Sequence, residues 1–73
     1  MIYYGDGRIR YDLNEDDVRL AMLFIQEITN GGELPFRERV ALVKQFRDAD
    51  PRKSLSTATA IVYCAEEQLR RVF

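Results

Sequence analysis

Apolar positions recur along this chain at helical spacing in three runs, and the first run carries more of them than one core face needs. From Val18 to Thr29 the sequence reads VRLAMLFIQEIT. At about 100° per residue, Val18, Ala21, Met22, Ile25, Ile28 and Thr29 fall on one stripe. Leu20 and Phe24 widen it on one side. Leu23 lies nearly opposite the stripe's centre, in a sector with Arg19, Gln26 and Glu27. A helix that is apolar nearly all round is covered on more than one side. The second cover is the chain's own N-terminal segment or another molecule.

The second run spans residues 35–49, where Phe36, Val40, Leu42, Val43 and Phe46 share a face and Arg37, Lys44 and Arg47 lie toward the other. In the third, residues 51–73, Leu55, Ala58, Ile61, Val62, Ala65, Leu69, Val72 and Phe73 form a long stripe. Ser56, Thr59, Glu66, Glu67, Arg70 and Arg71 flank or oppose that stripe. The punctuation agrees with three helices. Asn14 is a natural N-cap for a first helix over 14–30, because its side-chain oxygen takes a free backbone N–H. Glu15, Asp16 and Asp17 then sit at the positive end of the helix dipole, and Leu13 and Val18 are placed to form a hydrophobic staple. Asn30-Gly31-Gly32 supplies a left-handed cap. Pro35 fits the first turn of the second helix, and Asp48-Ala49-Asp50-Pro51 stops it. The third helix starts between Pro51 and Ser56, with Asp50 capping Pro51 or with Ser54 as the cap.

Residues 1–12 read differently. Ile2-Tyr3-Tyr4 and Arg8-Ile9-Arg10-Tyr11 flank Gly5-Asp6-Gly7, and Asp-Gly between β-prone residues is a hairpin signal. With Asp6-Gly7 as a two-residue loop, Tyr4 faces Ile9 and Ile2 faces Tyr11. An isolated hairpin is unstable in water, so this one lies on the helices or pairs with a second copy. The expected fold class is mainly α: a single three-helix domain with a short N-terminal β-hairpin or extended segment.

Composition narrows the function. The chain has 73 residues, one cysteine and no histidine. A chain of this size has a marginal core of its own. No intrachain disulfide can form and the usual zinc ligand sets are absent, which makes self-association, a homodimer, the expected support. The Ser-His and Cys-His pairs of nucleophilic catalysis are excluded within one chain, and Cys64 reads as a small residue at a helix contact. Asp12, Asn14 and Asp16 spell the first half of a calcium loop, but Asp17 stands where that loop needs Gly and Leu23 where it needs Glu. Capping explains these residues better, so no metal and no cofactor is expected. Neither Gly5-x-Gly7 nor Gly31-Gly32 continues into a phosphate-binding loop.

Net charge is −1, but it is unevenly placed. Residues 1–36 hold three basic and seven acidic groups, net −4, and residues 37–73 hold eight basic and five acidic, net +3. An acidic half and a basic half can pair across a dimer. No run approaches the roughly 20 apolar residues of a membrane span, and the N-terminus has no long apolar core of a signal peptide. With a lone thiol, the expected location is the cytoplasm.

Two function classes remain. The leading expectation is a non-enzymatic protein–protein interaction module, a homodimer acting as inhibitor, adaptor or regulator, of the accessory kind that phages and mobile elements carry. Its contact residues would be Leu20, Leu23 and Phe24 with Tyr3 and Tyr4, since Tyr and apolar anchors suit an interface. The alternative is a helix-turn-helix DNA binder in which Arg52, Lys53, Ser54, Ser56 and Thr57 at the start of the third helix meet phosphates or base edges. Against it stand Glu66 and Glu67 on the same helix, an acidic linker without the usual turn Gly, and the negative total charge.

Overall fold

A computed structural model describes the backbone of residues 2–4 and 11–72 and the side chains of residues 12–71. The order is β1 (Ile2–Tyr4), β2 (Tyr11–Leu13), α1 (Glu15–Thr29), α2 (Phe36–Ala49) and α3 (Leu55–Val72). The mainly helical class with a short N-terminal hairpin is therefore correct. The helix around which the chain is organised is α3, not the apolar-rich α1. Both α1 and α2 pack chiefly on α3, and β2 lies against it as well.

The reason is visible in the composition of α3. Ala58, Ala60, Ile61, Val62, Cys64 and Ala65 are all buried. Small residues let two helix backbones approach closely, and the larger ones fill the space between them. Ala21 of α1, which has no exposed surface, lies on the face that α1 turns to the core with Val18 and Ile25. Cys64, expected as a small, semi-buried residue at a helix contact, is fully buried. A helix with neighbours on several sides needs a wide buried arc, and the alanine-rich sequence of α3 hid how wide that arc is.

The termini of α1 follow their local chemistry. The Asp16 amide donates to the Asn14 side-chain oxygen at 2.8 Å. Leu13 and Val18, either side of that cap, are both buried, as a staple requires. Asn30 ends the helix in the left-handed region (φ 52°), with its N–H donating to the Gln26 carbonyl at 2.8 Å. Pro35 occupies the cap position of α2 rather than its first turn, and its carbonyl accepts the Arg39 N–H at 3.0 Å.

The start of α3 is settled in favour of Ser54. Its hydroxyl oxygen accepts the Thr57 amide at 3.1 Å, and its carbonyl accepts the Ala58 amide at 3.0 Å. Residues 51–54, expected as helix in one reading, form a turn. Asp50 closes that turn by accepting the Arg52 amide on Oδ1 at 3.1 Å and the Lys53 amide on its carbonyl at 3.0 Å.

The strand register differs from the two-residue-loop expectation. Ile2 pairs with Leu13, Tyr3 with Asp12 and Tyr4 with Tyr11. A shift of two residues preserves which side each residue takes, because strand side chains alternate. It also draws Leu13 into β2, and Leu13 is only 1% exposed. Burying Leu13 outweighs the preference for a two-residue Asp-Gly turn. The expected loop at Asp6-Gly7 and the pairing residue Ile9 lie outside the described residues, as do the side chains of Tyr3, Tyr4, Val72 and Phe73.

Candidate interaction surface

Three residues expected on core faces point outward. Phe36 is 71% exposed, Val40 51% and Leu55 56%. The core face of α2 is narrower than its apolar pattern: Leu42, Val43 and Phe46 are buried, and Phe36 and Val40 lie to one side of them. Leu55 is the first residue of α3 and stands at the open end of that helix. Tyr63 is also partly exposed. Together these four side chains line a groove between α2 and α3 of about 720 Å³, which Val43, Pro51 and Thr59 also border. Basic residues stand along it: Arg39, Lys44 and Arg47, with Asp48 the one carboxylate.

The sequence carried a signal for this groove. Arg47 follows Phe36 by eleven residues and Val40 by seven, which at about 100° per residue sets the guanidinium on the same side as both. A charged residue on an apolar line means that the line faces water at least in part. Arg47 therefore does not belong to the opposite face, where simple grouping had placed it.

An ion pair joins the groove's edge to the neighbouring depression, because Arg39 lines both and Glu66 lines the second. Arg39 holds Glu66 in a two-pronged contact, Nε to Oε1 at 2.6 Å and Nη2 to Oε2 at 2.9 Å. The Arg39 guanidinium also lies 5.3 Å from the centroid of the Tyr63 ring. Glu66 was expected on the polar side of α3, yet it is 8% exposed. The bond to Glu66 raises the Arg39 pKa above its ordinary value, so the cation is permanent. Behind the pair, a second depression between the end of α1 and α3 is lined by Gln26, Thr29, Leu34 and Arg70 among others.

A second apolar surface lies on α1. Leu23 is 58% exposed, and Leu20 and Ile28 are exposed beside it. Phe24 is half-buried and packs against the core. Of the expected contact residues, Leu20 and Leu23 are thus exposed on the outer side of α1 and Phe24 packs at its margin against the core, while the side chains of Tyr3 and Tyr4 are not among those described. Ile28, assigned to the core stripe, is 43% exposed although it lies within about 20° of buried Ala21.

The residues of the DNA-binding alternative are largely occupied. Lys53 Nζ lies 3.2 Å from Asp17 Oδ2 and 3.8 Å from Asp50 Oδ2, tying the α2–α3 connection to the start of α1. The Ser54 hydroxyl donates to Thr57 Oγ1 at 2.9 Å. Arg52 and Ser56 are exposed. Cys64 sits away from solvent, and burial, with Glu67 adding to it, pushes its thiol pKa up. Among the described residues no group of three or more acidic or cysteine side chains is placed to hold a metal ion. No helix among them is long and apolar enough to cross a membrane. No family model, curated protein or solved structure matches this chain.

Proposed function

We propose that this chain is a non-enzymatic protein–protein interaction module, an inhibitor, adaptor or regulator working in the cytoplasm, whose docking site is the α2–α3 groove. The observation that carries the reading is the groove itself: Phe36, Val40, Leu55 and Tyr63 exposed side by side in a concave surface. Contiguous apolar surface of this kind marks interaction sites on small soluble proteins. Aromatic and arginine side chains are the anchors such sites favour. Lys44 and Arg47 along the groove select a partner whose apolar anchors are flanked by carboxylates. With no histidine and a buried thiol, the chain offers neither a His base nor a Cys nucleophile to a substrate in that groove.

The test is site-specific photo-cross-linking in the native cell. Phe36→p-benzoylphenylalanine should yield a discrete protein adduct, and the same replacement at exposed Gln45, on the other side of α2, should not. Equal labelling at both positions, or none, overturns the assignment of the groove. A gel shift on random duplex at low salt is the companion measurement, since phosphate contacts alone give detectable non-specific affinity. A clear shift without an adduct replaces this reading with nucleic-acid binding.

A further inference from the structure

We propose that the α2–α3 groove receives an acidic amphipathic α-helix of a partner protein, with that helix's carboxylates seated at one end of the groove. The inference rests on the interaction-module reading and names the partner's chemistry. Along α2 the groove is lined by Phe36, Val40, Lys44 and Arg47. Their relative positions, 0, 4, 8 and 11, keep them within an arc of about 80°. Along α3 it is lined by Leu55, Thr59 and Tyr63, one turn apart. Tyr63 stands beside Arg39, with 5.3 Å between ring centroid and guanidinium, so the two lines run antiparallel. The groove is therefore polarised. Phe36, Val40 and Tyr63 form one end, and Lys44 and Arg47 stand across from Leu55 at the other.

Charge selects the occupant's polar flank. Arg39 is already matched by Glu66 through two hydrogen bonds, so recognition falls to Lys44 and Arg47. Neither has a carboxylate within ion-pair distance among the described residues, although Asp48 stands one turn after Lys44. Arg37 lies seven residues before Lys44 and within about 20° of it, which puts a third cation on that flank. Asp or Glu on the partner therefore meets cations that the chain leaves unpaired. Backbone chemistry selects the helix. The Thr59 hydroxyl already donates to the Leu55 carbonyl at 2.8 Å, and the rest of the floor is Phe36, Val40, Val43, Leu55 and the Tyr63 ring. An extended peptide laid there would leave backbone N–H and C=O groups unpaired. A helix satisfies them internally and presents its side chains at the same rise of about 1.5 Å per residue as α2. The 14 residues of α2 make a wall about 21 Å long, enough for four turns. The same apolar floor disfavours a phosphate backbone, whose charges it would desolvate. The partner helix thus carries apolar residues at i, i+4 and i+7 along its buried edge. Its carboxylates lie beside the last of these, about two turns beyond the first.

The probe is a displayed library of helix-favouring peptides of 14 residues, the length of α2, randomised along one side and selected on the immobilised protein. Wild type should enrich peptides with apolar residues at that spacing and an excess of Asp and Glu. Val40→Asp should weaken their binding by about tenfold or more. With Lys44→Glu and Arg47→Glu combined, the same selection should turn to peptides bearing Lys and Arg. All three positions are exposed, and circular dichroism checks that the variants are folded. Should Val40→Asp unfold, Leu55→Asp replaces it. Enrichment of neutral or basic peptides on the wild type overturns the proposal. So does an acidic preference that survives the double charge reversal, or enrichment that Val40→Asp leaves intact. A groove filled by the chain's own N-terminal segment would enrich nothing, and that result overturns it as well. A wild-type light-scattering mass of twice 8.5 kDa that returns to 8.5 kDa in Val40→Asp would give the groove to a second copy instead. Binding of random duplex that is lost on charge reversal and kept in Val40→Asp would give it to nucleic acid. If the Phe36 cross-link yields a discrete adduct while the selection returns neutral or basic peptides, acidic-helix recognition falls and the interaction-module reading stands. If neither adduct nor enrichment is seen, both fall.

Discussion

Removing Arg39 should destabilise the fold more than removing its partner Glu66, although the two make the same pair of hydrogen bonds. Glu66 is the deeper group, with 9% of its side chain exposed against 21% for Arg39. Arg39→Met leaves the carboxylate with no cation and little water. Breaking a fully buried pair costs about 3–5 kcal/mol. Arg39 lies at the groove edge, where solvent reaches the vacated space, so the expected loss is smaller, about 2–3 kcal/mol. Glu66→Leu leaves the guanidinium able to turn toward the groove while still stacked on Tyr63, and should cost about 1 kcal/mol. The double variant, with apolar groups at both positions, should lie within about 1 kcal/mol of wild type, because the desolvation of both charges is then relieved. Urea unfolding followed by far-ultraviolet circular dichroism reads all three. A chain of 73 residues has a total stability of roughly 4–11 kcal/mol, so the Arg39→Met loss is plainly visible. Equal losses for the two single variants, or a double variant as unstable as their sum, would refute the argument that a stranded buried carboxylate dominates.

Ser54→Ala should lower stability by about 1 kcal/mol in the same assay, since it removes the acceptor for the Thr57 amide at the start of α3. Ala65→Leu should cost about 1–3 kcal/mol by overpacking a position with no exposed surface, whereas a similar enlargement at exposed Ala41 should be neutral; the pair compares a packed helix contact with open space. Cys64 should react with Ellman's reagent far more slowly than a free thiol at mildly alkaline pH and at the ordinary rate in urea, because burial both hides the sulfur and raises its pKa, keeping it protonated over the range where an exposed cysteine ionises. Fast reaction of the native protein would show that α3 opens on the time scale of the assay.

The helices and their caps were legible because they depend on neighbours in sequence. Asn14, the Leu13–Val18 staple and Asn30 each act within a turn of backbone, and the side-chain periods that mark three helices are local. The surplus of apolar residues on α1 was also readable, and the outward position of Leu23 follows from its angle alone. The hub of the fold is not legible in the same way. The apolar count is highest on α1, but a helix in the middle of a small bundle needs small residues as much as large ones. The alanines and Cys64 of α3 gave little hydrophobic weight and a great deal of contact.

The sequence by itself determined the class of fold, the three helices, the uneven charge and the absence of histidine chemistry, because each is a property of short spans or of the composition. Only the tertiary structure decided which arc of each helix is covered. That depends on how many neighbours a helix has, and periodicity cannot count neighbours. It turned Phe36, Val40 and Leu55 from core into the lining of a groove, drew Glu66 inward to meet Arg39 from 27 residues away, and shifted β2 so that Leu13 is buried.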